Sequence, residues 1–175
     1  MTARSDFTEE EWRRLVRAPL VAGMAISLAD PGGPIEATKE VVASLRAKQS
    51  PPDATELTVS IAGEVQTLTQ QRGNPLADFR IEPGRMAGEQ VLEELREVGR
   101  ILHDKADPAE TRAFGRWLLE AAQAAADAAK EGGFLGFGAE RVSAGEQAML
   151  NRLRDAFETD APPQPDVGSA ASEPT

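Results

Sequence analysis

The sequence predicts an all-α protein, a compact bundle of about six or seven helices in residues 1–158. A disordered, acidic, proline-rich tail is predicted to follow in residues 159–175. Three observations favour this class: apolar residues recur at helical spacing, helix-start motifs precede several of these segments, and no stretch alternates apolar and polar residues as a strand does. The chain has 175 residues, 41% of them apolar, which is enough for one core.

The first helix is predicted to begin at Glu9. Thr8 is a suitable N-cap, and Glu11 stands at the position from which a capping box returns the hydrogen bond. Phe7 and Trp12 are spaced to pack on each other as a hydrophobic staple. These four residues make the start of this helix the most explicit local signal in the chain.

Pro19 is predicted to interrupt or kink this helix, because proline cannot donate to the i−4 carbonyl. The residues after it are apolar nearly throughout, so we expect the most buried segment there, with Met24 and Leu28 inside it. The uncharged run 18–29 would make about 18 Å of helix, whereas a bilayer core needs about 30 Å. The run therefore predicts a buried helix and not a membrane span.

The remaining helices follow from apolar residues at helical spacing and from start motifs at Asp107–Pro108 and Ser143–Glu146. A loop is predicted over residues 73–85, because Asn-Pro and Pro-Gly pairs favour turns. The predicted helical segments are 35–45, 57–68, 91–102, 108–131 and 144–157.

Charge and composition exclude several functions. The net charge of −10 opposes binding to nucleic acid. The chain has no cysteine, which excludes thiolate chemistry. His103 is the single imidazole, and its place beside acidic residues at a helix end favours a structural role. The first 11 residues lack the pattern of a signal peptide. We therefore expect a cytoplasmic protein that is not an enzyme and needs no cofactor.

Two groups of residues are candidate sites. Acidic residues that flank interhelical turns could bind Ca²⁺ or Mg²⁺ through oxygen ligands, or could act only as helix caps. Three large apolar residues in a glycine-rich connection could close the core, could contact a partner, or could contact a membrane or a ligand. The candidate metal ligands are Asp30, Glu36, Glu40 and Glu146, and the candidate partner-binding residues are Phe134, Leu135 and Phe137.

The segment Gly132–Gly138, with Ser143 and Glu146 after it, resembles a motif of an uncharacterised family of bacterial all-helical proteins. Trp12 and Ala18–Pro19 fit the same resemblance, which extends over about residues 7–157. The motif near the carboxyl terminus is its most specific part.

Two helix-turn-helix units are similar, more distantly, to the repeat of TerB-like tellurite-resistance proteins, in which an Ala-Asp-Gly turn precedes a glutamate. That resemblance implies an acidic, metal-binding surface around Asp30 and Glu146. In the first unit Lys39 replaces the glutamate, and in the second Ala139 replaces the aspartate. The sequence thus predicts a non-enzymatic helical protein that binds a protein partner or itself, with TerB-like cation binding in a stress response as the alternative.

Overall fold

The computed structural model describes residues 2–29, 50–131 and 144–158. Within these ranges every regular element is helical, as the sequence predicts. A short 3₁₀ turn at Arg4–Asp6 precedes five α-helices: α1 Glu9–Ser27, α2 Glu56–Gln70, α3 Ala87–Lys105, α4 Pro108–Glu131 and α5 Ala144–Glu158. The predicted helix 35–45 and the predicted tail lie outside the described residues, so the total of six or seven helices stays a prediction.

Helix α1 lies at the centre of the bundle and contacts each of the other four described helices. Every residue from Leu15 to Gly23 is buried, so this stretch is enclosed on all sides. The predicted interruption at Pro19 is wrong, because α1 continues through this residue to Ser27. The alternative, a kink at Pro19, stays a prediction. Dense packing around α1 compensates for the one hydrogen bond that proline cannot donate. Met24 and Leu28 are only partly buried, in contrast to the prediction.

The start of α1 is as predicted. The Glu11 backbone N–H donates to Thr8 Oγ1 at 3.2 Å, and the Thr8 N–H donates to Glu11 Oε2 at 2.7 Å. The Phe7 and Trp12 rings lie 5.9 Å apart between centroids, which confirms the hydrophobic staple. Local sequence thus fixes where this central helix begins.

Lys105, at the end of α3, donates from Nζ to Glu11 Oε2 at 2.6 Å. This hydrogen bond, together with the one from the Thr8 backbone, lowers the pKa of Glu11 from 4.5 to about 2. A carboxyl with a lowered folded-state pKa stabilises the fold above its unfolded-state pKa, and that stabilisation is lost as the pH falls toward the folded-state value.

We therefore expect the free energy of unfolding of Lys105→Met to fall less between pH 4.5 and 2 than that of the wild type. Urea unfolding across this pH range measures the difference. Arg112→Met is the control, because it removes an equal charge from an exposed position on α4. Identical acid profiles for wild type and Lys105→Met would contradict the assignment.

The other helices bury most of the apolar residues that the spacing predicts, whereas Leu68 and Phe157 are only partly buried. Asp107 caps α4 as predicted, with its Oδ1 accepting the Ala109 N–H at 2.8 Å. Glu110, in the first turn of α4, is buried and accepts hydrogen bonds from the Thr2 N–H at 3.0 Å and the Thr2 hydroxyl at 2.5 Å. The predicted core residues that are buried are Leu57, Ile61, Val65, Val91, Leu95, Val98, Leu102, Phe114, Trp117, Leu118, Leu150 and Leu153.

Helix α5 packs closely on α3 and α4 because glycines face its side chains. A Cβ at Gly115 would lie 3.2 Å from Phe157 Cβ, and one at Gly88 would lie 3.0 Å from Met149 Cε. Arg152 of α5 also forms a two-pronged ion pair with Glu89 of α3, with both N···O distances 2.7 Å. Among the helices that the structure describes, none is both long and apolar enough to cross a bilayer.

Candidate binding cleft

A polar cleft of about 530 Å³ opens between α1, α3 and the irregular segment 71–86 that joins α2 to α3. This segment contains the predicted loop, and Gly84 takes a positive φ of 85° in the turn at residues 83–84. The cleft is lined almost entirely by charged side chains: Arg14, Arg17, Asp78, Phe79, Arg80, Glu82, Arg85, Gln90, Glu93, Glu94, Glu97 and Arg100.

The floor of the cleft is a buried carboxylate bound by two arginines. Glu94 Oε1 accepts from Arg17 Nε at 2.8 Å and lies 2.6 Å from Arg17 Nη2. Glu94 Oε2 accepts from Arg14 Nη1. The side chains of Glu94 and Arg17 are 8% and 6% exposed, whereas that of Arg14 is 25% exposed. Arg14 is therefore the member of this triad that solvent, or a ligand, can reach.

Helix geometry brings the triad together. Arg14 and Arg17 are three residues apart in α1, so they lie on one face. Glu94 lies within the apolar stripe of α3, three residues after Val91 and four before Val98. A carboxylate at this position must be paired, because removing an unpaired charge from water costs on the order of several kcal/mol.

Gln90 fixes the segment that forms the opposite wall. Its Oε1 accepts the Glu82 N–H at 2.8 Å, and its Nε2 donates to the carbonyls of Glu82 at 3.1 Å and Arg85 at 3.3 Å. The ring of Phe79 adds a second attachment, since the Arg17 guanidinium carbon lies 5.9 Å from its centroid. The wall is thus attached to both α3 and α1.

The rim of the cleft carries further ion pairs. Arg85 Nη2 donates to both carboxylate oxygens of Glu93, at 2.7 and 2.8 Å, and Glu93 with Glu82 raises the pKa of Arg85. Glu97 pairs with Arg100. Arg80 is exposed, and within residues 2–29, 50–131 and 144–158 it has no hydrogen-bond or ion-pair partner.

Of the predicted metal ligands, Glu146 alone lies within the described residues. Glu146 is in the first turn of α5 and is half-buried, away from the cleft lining. Asp30, Glu36 and Glu40 lie outside the described residues. No group of three or more His, Asp or Glu side chains within the described ranges is arranged to hold a metal ion. Cation binding by these four residues stays a prediction.

If the four carboxylates are helix caps, millimolar Ca²⁺ or Mg²⁺ should raise the thermal midpoint only slightly, because stabilisation grows as RT ln(1 + [L]/Kd). Thermal unfolding at increasing cation concentration measures this. A saturable rise that disappears in the double variant Asp30→Asn, Glu146→Gln would show that they bind the cation, provided that Glu120→Gln, an exposed control on α4, retains it.

The predicted partner-binding residues Phe134, Leu135 and Phe137 also lie outside the described residues, so their burial or exposure stays open. The residues that sequence reasoning missed are Arg14, Arg17, Gln90 and Glu94. A signal for two of them exists, since Gln90 and Glu94 are polar residues at core-facing positions of the α3 apolar stripe.

No protein family, curated protein or solved structure matched the chain in the comparisons. The resemblances to the bacterial all-helical family and to TerB-like proteins accordingly stay predictions.

Proposed function

We propose that this protein acts without catalysis, by binding another protein, and that the cleft between α1, α3 and segment 71–86 receives a short segment of that partner. The observation that carries this proposal is the floor of the cleft, where Arg14 and Arg17 both bind the buried Glu94. This arrangement holds guanidinium groups in fixed positions at the base of an open, polar cavity.

The dimensions of the cleft suit a peptide segment. Its α3 wall extends from Gln90 to Arg100, which is about 15 Å along a helix axis. An extended chain rises about 3.3 Å per residue, so four or five residues would cover that length. We propose that the partner binds in an extended conformation along α3.

The charge of the cleft favours a protein partner over nucleic acid. Arg14, Arg17, Arg80, Arg85 and Arg100 are balanced in number by Asp78, Glu82, Glu93, Glu94 and Glu97, and the whole chain has a net charge of −10. Nucleic-acid sites need a surplus of cations to neutralise phosphates. The cytoplasmic location expected from the sequence is kept as part of this proposal.

Peptide display tests the proposal. Random peptides displayed on phage are selected on the folded protein, and selected clones are compared on Arg80→Glu and on Arg112→Glu. Arg112 is a matched control because it is also an exposed arginine but does not line the cleft. We expect enriched peptides whose binding is lost only with Arg80→Glu. No enrichment, or equal binding to both variants, would overturn the proposal.

A further inference from the structure

We infer that the group recognised in the cleft is a side-chain carboxylate of the partner, bound by Arg14 and Arg80 in place of Glu10. This inference rests on the proposed function and names the chemistry of the segment that the cleft takes. The evidence for it is that some charged side chains of the cleft have buried partners, whereas others have an exposed partner, which a ligand could replace, or none.

Arg14 has one permanent partner and one exchangeable partner. Glu94 is buried and binds both Arg14 and Arg17, so separating it from them would leave buried charges without partners. Glu10, in contrast, is 69% exposed and lies 3.3 Å from Arg14 Nη2, one helical turn away. Exposed pairs at this spacing contribute little to stability, so an incoming carboxylate can replace Glu10.

Arg80 supplies the second cation. It lies in the segment that Gln90 and Phe79 attach to the bundle, so its backbone is held at the wall of the cleft. Within the described residues it has no partner to displace. Arg17 remains behind these two as a positioning residue, since Glu94 and the Phe79 ring occupy its guanidinium.

The acidic side of the cleft offers no equivalent capacity for a cationic ligand. Every lining carboxylate has an arginine within ion-pair distance: Asp78 with Arg13, Glu82 and Glu93 with Arg85, Glu94 with Arg14 and Arg17, and Glu97 with Arg100. Most of these pairs are as exposed as the Glu10 contact, so the difference lies with Arg80: among the charged side chains that line the cleft, it alone has no partner within the described residues. The geometry therefore selects an anion.

Isothermal titration tests this inference with a blocked pentapeptide that has three glutamates between two alanines. A matched pentapeptide with glutamines and inorganic phosphate serve as comparison ligands. We expect the glutamate peptide to bind with a Kd on the order of 0.1 mM, weaker at high salt, and the glutamine peptide not to bind. If inorganic phosphate binds as tightly as the peptide, the inference is overturned, because the site would then bind a free anion and not specifically a carboxylate of a peptide.

Four single variants locate the binding. Arg80→Gln should lower the affinity for the glutamate peptide about tenfold. Glu10→Gln should raise this affinity about twofold, because it removes the carboxylate that competes for Arg14. Arg112→Gln is the control for Arg80, because Arg112 is exposed and does not line the cleft. Glu9→Gln is the control for Glu10, because Glu9 pairs with Arg4 and not with Arg14. Each control should change affinity less than its counterpart.

Failure of this inference and failure of the proposed function give different results. If display selects peptides that need Arg80 but carry no acidic residues, the inference that the cleft binds a carboxylate is wrong, and the proposed binding function is retained. If display selects nothing, the proposed function fails with it. Equal effects of Arg80→Gln and Arg112→Gln would place the anion outside the cleft and overturn the inference.

Discussion

Glu94→Gln is expected to lower the free energy of unfolding by about 3–5 kcal/mol, because it removes the counter-charge from a buried arginine. Arg17 is 6% exposed, and its guanidinium would be left beside a neutral amide. Arg14 would lose the same partner, but at 25% exposure water can solvate it in part. Urea unfolding of the variant measures the effect.

The neighbouring substitution Glu93→Gln is the matched control. Glu93 has an equally direct ion pair with Arg85, but both side chains are about half exposed, at 53% and 49%. Exposed pairs contribute about 0–1 kcal/mol, so this variant should remain close to wild type. Similar, small losses for the two variants would show that Glu94 is not the anchor of a buried triad.

Phe114→Ala is expected to have an effect of the same size, about 3–5 kcal/mol, through loss of packing at the centre of the bundle. The ring of Phe114 is fully buried in α4 and meets the Trp117 ring edge to face, with centroids 5.6 Å apart. Removing it leaves a cavity that the surrounding helices, packed on α1, can only partly close.

Val59→Ala is the comparison for this core variant. Val59 is 53% exposed on α2, so its truncation should change the free energy of unfolding by less than about 0.5 kcal/mol. Denaturant titration of both proteins provides the test. A loss below about 1 kcal/mol for Phe114→Ala would mean that α4 does not pack on α1 as described.

Local signals made most of the fold predictable. The capping box at Thr8 and the N-cap at Asp107 depend on residues three or fewer positions apart, so the sequence contains the whole interaction. Apolar spacing likewise identified the buried faces of α2, α3 and α4. The predicted interruption at Pro19 failed because tertiary packing around α1 outweighs the local preference of proline to end a helix.

The cleft could not be predicted in the same way, because its contacts are long-range. Arg17 and Glu94 are 77 residues apart, and their pairing depends on how α1 and α3 are placed against each other. Periodicity predicts which face of a helix is buried but not which residue of another helix it meets. The position of Glu94 inside an apolar stripe indicated that it needs a partner, without indicating which one.

Binding of a partner's carboxylate by Arg14 and Arg80 can be followed at the arginine side chains themselves. Nuclear magnetic resonance of the arginine Nε–Hε groups tests it most directly, during titration of the folded protein with the three-glutamate pentapeptide. We expect saturable shifts of the Arg14 and Arg80 signals, with those of Arg112 and Arg116 on α4 unchanged. Saturable shifts at Arg112 or Arg116 with none at Arg14 and Arg80 would contradict it.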